Sequence, residues 1–100
     1  MRVYDATAKR GRAITDFESS GARMATLIND RFWHVTVLDL EADGTLGEHK
    51  VATDQVLIVI SGAARVKGGS GRQVDAVPGT AVFWNRGEVH TIRAGSQGLS

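Results

Sequence analysis

The stretch TAVFWNRGEVHTIR, residues 80–93, decides how this chain is read. Its two apolar runs, 80–84 and 89–93, are short and rich in β-branched and aromatic residues, which is how strands look in sequence. Between them the chain breaks at Asn85-Arg86-Gly87. A turn that served only to reverse direction would have no use for a carboxylate and an imidazole directly behind it. Yet Glu88 and His90 follow within one short step.

Working outward, a period-two apolar pattern recurs along most of the chain, so an all-β protein is expected. Further strands are expected over 22–28, 32–41, 54–61, 63–67 and 72–77. ADGTLGE (42–48) reads as a glycine-punctuated loop, GGSG (68–71) as a hairpin loop, Pro78-Gly79 as a turn and residues 94–98 as a last turn. GGSG is not a phosphate loop, because no Gly-Lys-Ser/Thr follows it and no helix pattern starts there. Leu99-Ser100 reads as the start of one more strand, so either a final strand is missing or a sheet edge is left short. Residues 1–21 read as an N-terminal arm or loop. Within them Thr15-x-x-Glu18 matches a capping box, enough for a single helical turn before Ser19-Ser20-Gly21.

Short strands joined by glycine-rich turns imply an antiparallel sandwich or barrel. The strand 54–61 adds detail, because Val56, Leu57, Ile58, Val59 and Ile60 are apolar on both faces. A sheet with one wet face would alternate. One face is therefore expected on the core and the other on a second layer or on a partner subunit, giving a homodimer.

Composition narrows the function classes. The chain has 100 residues, 42% hydrophobic and 23% charged, the balance of one globular domain. Its core is modest at this length, and sharing apolar surface in a dimer would help. Twelve basic residues against eleven acidic give a formal net charge of +1. Nucleic-acid binding calls for a clustered basic face, so no nucleic-acid partner is expected. The one small basic cluster, Lys9, Arg10 and Arg12, reads as a solvated terminus. The absence of cysteine excludes disulfides, thiolate zinc sites and cysteine nucleophiles. No apolar run is long enough for a signal core or a membrane span, so no membrane partner and a cytoplasmic location are expected.

The chain has three histidines: His34 in the strand 32–41, His49 at the end of the glycine loop, and His90 behind the broken strand. Imidazole is the commonest transition-metal ligand and titrates near neutrality. His49 and His90 sit beside glycine turns at strand edges, where a β-barrel opens its mouth. By period two, Gln55, Leu57, Val59 and Ser61 share a face, and a buried amide there needs partners or costs about 1–3 kcal/mol. His34 reads as structural or exposed and Lys50 as a solvated charge. Trp33, Phe83 and Trp84 read as core or interface, with Trp84 lining a pocket as the alternative.

Two segments together resemble the cupin family. GTLGEHKVATDQVLIVISG (44–62) is similar to the first cupin motif, with His49 at its first histidine position, Gln55 at its glutamate position and Gly62 six residues beyond. GTAVFWNRGEVH (79–90) is similar to the second, with Gly79, Gly87 and His90 in register and Asn85 where proline is usual. The resemblance covers residues 32–98 and implies an antiparallel jelly-roll β-barrel, with residues 1–100 as a single domain. It implies that the glycine turn swings the strand inward, so that His90 points into the barrel towards His49.

The resemblance also implies a metal site with ligands from both motifs, but this chain departs from it. Val51 occupies the second histidine position and cannot bind metal, and Gln55 is a neutral donor. The reduced set is His49, Gln55 and His90, for a divalent transition metal such as iron, manganese, nickel or zinc. A two-histidine-plus-carboxylate face suits non-haem iron, but here an amide stands in the carboxylate's place, and Glu88 is expected to face outward. The histidines either bind metal or hydrogen-bond each other or water in a polar pocket.

Three functions remain. The first is a small-molecule-binding cupin, its pocket lined by His49, Gln55, His90 and Trp84, with metal weak or absent. The second is a metal-dependent cupin enzyme of dioxygenase or isomerase type. The third is a non-catalytic dimeric module. Triad hydrolysis has no signature, since Ser61 lacks a nucleophile elbow.

Overall fold

The computed structural model describes residues 1–3, 6–8, 11–68 and 71–100. Eight strands are described: β1 (Arg12–Ile14), β2 (Ser20–Asn29), β3 (His34–Lys50), β4 (Gln55–Ile58), β5 (Gly62–Lys67), β6 (Gln73–Ala76), β7 (Ala81–Trp84) and β8 (Val89–Leu99). A single 3-10 turn, Asp16–Glu18, lies between β1 and β2. The strands form a six-stranded sheet in the order β1-β2-β3-β8-β5-β6 and a two-stranded sheet, β4-β7. All their pairings are antiparallel.

Alternation decides what each strand buries. In β8, His90, Ile92 and Ala94 are buried while Arg93 is exposed. In β5, Ala64 and Val66 are buried while Arg65 and Lys67 are exposed. The core lies between the two sheets. Leu40, Leu46, Ile92 and Val66 from the large sheet meet Trp84 of β7 and Val59 just beyond β4. This is a jelly roll, expected from the sequence, but its two sheets do not pair into a closed barrel. A backbone bond joins their flanks: the Ile60 N–H, just beyond β4, donates to the Ser100 carbonyl, just beyond β8, at 2.9 Å.

Several sequence expectations need correction. Residues 42–48 are not a loop but the middle of β3, and 94–98 are not a turn but part of β8. Both stretches hold the turn residues that irregular strands use. Register shifts fall between Leu40 and Thr45 and between Leu46 and His49, with Asp43 in the left-handed region at φ 58°. Leu99 does not begin a new strand; it ends β8, opposite both Leu40 and Gly62. The arm 1–21 includes the edge strand β1 and the first residues of β2. Thr15 makes no side-chain cap to the 3-10 turn, so the capping-box match is not realised.

The hairpin at 68–71 holds in its flanks, where β5 pairs β6 and the Gly71 N–H donates to the Gly68 carbonyl; Gly69 and Ser70 lie outside the described residues. Lys9 and Arg10 also lie outside them, and Arg12 is exposed. Trp33 and Phe83 are not core but exposed. No helix among the described residues is long and apolar enough to cross a membrane.

Candidate functional site

The stretch between β7 and β8 answers the question its sequence poses. Asn85, Arg86, Gly87 and Glu88 make a turn in which the Glu88 N–H donates to the Asn85 carbonyl at 3.0 Å. Gly87 holds φ at 87°, a conformation that glycine adopts without strain. The Glu88 carboxylate accepts the Asn85 N–H at 2.9 Å, and the Asp54 carboxylate accepts the Arg86 N–H at 2.7 Å. Glu88 therefore faces outward, tying its own turn, and is exposed. The chain re-enters the large sheet with His90 turned into the core, only 3% exposed.

His49 arrives opposite His90 through strand register. Leu46 stands opposite Ile92, and two regular steps onward would set Glu48 opposite His90. One extra residue in β3 places His49 there instead, a bulge that re-aims a side chain. Gly47 lies within that irregular stretch, and the 3-10 turn crosses directly over it. A Cβ on Gly47 would overlap the Phe17 carbonyl oxygen. The buried Ser19 hydroxyl accepts the Gly47 N–H at 2.9 Å and secures the crossing.

The two imidazoles meet Nε2 to Nε2 at 3.0 Å. Their hydrogen-bond partners fix their tautomers. His49 Nδ1 lies 2.8 Å from the Gly47 carbonyl, which can only accept, so Nδ1 carries the proton and donates. His49 Nε2 is then an acceptor, and His90 Nε2–H donates to it. That leaves His90 Nδ1 as a buried acceptor with no partner among the described residues. Burial lowers the His90 pKa from 6.5 to about 4, with the neighbouring His49 charge as the second cause. At neutral pH His90 is therefore uncharged.

Aromatic rings surround the pair. The edge-on contact of Trp84 with His90 has centroids 4.6 Å apart, and Phe17 stacks face to face on His49 at 4.6 Å and 12°. The structure thus brings His49, His90 and Trp84 together. Trp84 is buried, so it shapes the surroundings of His90 rather than presenting a surface. Gln55 is not buried, contrary to the expectation for its face. It is exposed at the start of β4, opposite Trp84, and its side chain makes no hydrogen bond among the described residues. Val51 is core, and His34 and Lys50 are exposed. Two open grooves of about 460 and 480 Å³ lie elsewhere, one along Gly11, Arg12 and Met24 and the other along Arg23, Asp39 and Glu41. Neither is lined by any of the site residues expected from sequence.

Sequence reasoning missed Phe17. It belongs to no motif, and its only signal is an aromatic residue set between Asp16 and Glu18 in a polar stretch.

The donor set does not fit a transition-metal centre. Catalytic zinc sites, for comparison, take three protein ligands. Here two imidazole nitrogens already share one proton, Glu88 is tied to its turn, and Gln55 is exposed. Among the described residues no three His, Asp or Glu side chains converge.

No protein-family model matches the chain, and no curated protein matches it by sequence. Solved structures do match it by shape. The polyketide cyclase RemF from Streptomyces resistomycificus superposes with a TM-score of 0.82 at 20% identity, covering 99% of this chain and 74% of that one. A predicted oxalate decarboxylase from Thermotoga maritima gives 0.76 at 18% identity, covering 96% and 92%. A cupin superfamily protein from Desulfitobacterium hafniense gives 0.73 at 14% identity, covering 99% and 85%. At these identities the likeness shows the fold.

Proposed function

We propose that this chain, a small protein of cupin fold, binds a small molecule at the His49–His90 pair. One observation supports the reading above others: two imidazoles 41 residues apart in sequence meet at 3.0 Å, one of them buried and uncharged at neutral pH. A neutral His in the core is costly unless its polar atoms are used, and His90 Nδ1 has no protein partner among the described residues. With the two ring protons held between His90 and His49 and between His49 and Gly47, the pair offers His90 Nδ1 as a free acceptor for a donor on the ligand. The exposed Gln55 amide, across from Trp84, supplies a further donor and acceptor at the rim. No step is assigned to a metal, because the donors do not make a centre. The cytoplasm is the proposed location, in keeping with a chain free of cysteine.

The test is a small-molecule screen by thermal shift, since a ligand selective for the native state raises its melting temperature. Any hit should stabilise the wild type and lose its effect in His90→Ala and His49→Ala variants that still fold. Hits that stabilise the variants equally place the site elsewhere. Elemental analysis of untagged protein, purified without chelator, should find no stoichiometric transition metal. A full equivalent of metal, lost in the same variants, would restore the metal-enzyme reading.

The chain is also proposed to form a homodimer. The outer face of the β4-β7 sheet leaves Val56 58%, Ile58 58%, Ile60 71% and Phe83 55% exposed. No second layer covers it among the described residues, which removes one of the two coverings expected from sequence. Residues 55–60 and 81–84 contain no charged side chain, so two copies can meet there without repulsion. A self-complementary patch of this kind suits two-fold pairing.

A further inference from the structure

We infer that the imidazole pair takes a planar, π-conjugated ligand, which replaces the Phe17 ring on the face of His49. The inference rests on the ligand-binding reading above and adds to it the chemical class of the ligand. As folded, the pair is roofed: the Phe17 ring lies parallel to the His49 ring, with centroids 4.6 Å apart, while Phe17 itself is 58% exposed. A molecule approaching His49 from solvent on that side meets Phe17 first. What Phe17 presents to His49 is a flat aromatic face, so the space it fills has the shape and polarisability of a flat aromatic ligand.

The roof is built to be displaced. Phe17 and Glu18 are consecutive non-glycine residues in the left-handed region, at φ 58° and 60°. That conformation is strained for L-residues and persists only where surroundings hold it. Here the holding groups are few: the three-residue turn buries none of its own residues and lacks a side-chain cap from Thr15. Its anchors are the Ser19 N–H to the Asp16 carbonyl at 3.0 Å and the Ser19 hydroxyl on Gly47. Lifting the ring forfeits one stack and releases backbone strain, two effects of opposite sign. The ring-on state is then favoured by no more than about 12-fold, and a ligand with a better π face shifts the population. The Ser19–Gly47 bond lies beyond Phe17 and keeps the turn attached while the ring moves.

The test uses 2-naphthol as a flat probe and decahydro-2-naphthol as its saturated counterpart, read by NMR from the imidazole Hε1 resonances of the intact chain. 2-Naphthol should shift the His49 and His90 signals, and decahydro-2-naphthol should not. Phe17→Ala and Phe17→Leu should each tighten 2-naphthol binding by about 2- to 12-fold, the equivalent of one aromatic stack no longer competing. His49→Ala should abolish the binding. Unchanged or weaker binding in both Phe17 variants overturns the inference and makes Phe17 a wall of the site rather than a stand-in for its ligand. Equal binding of the two alcohols at the pair, or no binding of either, also overturns it. The ligand-binding reading itself falls only if the wider thermal-shift screen yields no hit dependent on His49 and His90.

Discussion

Two regions of this molecule invert the usual arrangement of polar and apolar groups. At the inner end of β8 a histidine is buried to 3% exposure and keeps one ring nitrogen without a partner among the described residues. On the outer face of β4-β7, four large apolar side chains are more than half exposed. Buried polar groups and contiguous exposed apolar patches are the informative exceptions in a folded protein. Each inversion lowers the stability of the isolated chain, and each marks where the proposals above set a molecule from outside it: a ligand at the buried histidine, a second copy on the apolar face. The comparison teaches that function can be located from what the chain leaves unsatisfied, without knowing its partner.

The largest effect should come from removing the support of the inner region. Trp84→Ala deletes a buried ring shared by the core and His90, and should lower stability by about 3–5 kcal/mol in urea denaturation. A loss under about 1 kcal/mol would mean that Trp84 does not hold this region together.

The pH dependence comes next. The unfolded chain takes up a proton at His90 near pH 6.5, while the folded chain resists until about 4. The folded state thus binds fewer protons between these values. The stability due to the neutral His90 is complete above pH 6.5 and falls by about 3 kcal/mol as pH drops to 4. His90→Gln should flatten this segment of the urea-midpoint profile. An equally steep profile in the variant would assign the dependence to other groups.

Ile58→Lys addresses the outer region. It should convert the proposed dimer to monomer in sedimentation equilibrium and change monomer stability by no more than about 0.5 kcal/mol, as expected for an exposed site. If the wild-type chain sediments as a monomer at all concentrations tested, the outer patch is not a self-association surface. Smallest is the contrast at Phe17. Phe17→Gly and Phe17→Ala both lose the stack, but only glycine accepts φ near 58° without strain, so the glycine variant should be the more stable by about 1 kcal/mol.

The two regions also differ in how far they could be read from sequence. The apolar outer face was legible, because Val56, Ile58 and Ile60 alternate along one short run and their direction follows from strand pleating alone. His49 and His90 were legible as partners only through the spacing of two motifs. Gln55 was misplaced, because period two assigns it to the inner face but cannot say that the strand's first residue lies beyond the core. Residues 42–48 and 94–98 were misread as loop and turn, because glycine and aspartate mark bulges and turns alike when only near neighbours are considered.

The amino-acid sequence by itself determined an all-β chain, the break before His90, the two-sided apolar strand and the absence of thiol chemistry. These depend on side-chain type and short-range alternation. Only the tertiary structure decided that one extra residue in β3 sets His49 rather than Glu48 against His90, and that Phe17 crosses Gly47 to cover the pair. Those contacts join residues some 30 to 40 positions apart, where register and chain crossing are set by the packing of the whole sheet rather than by any local preference.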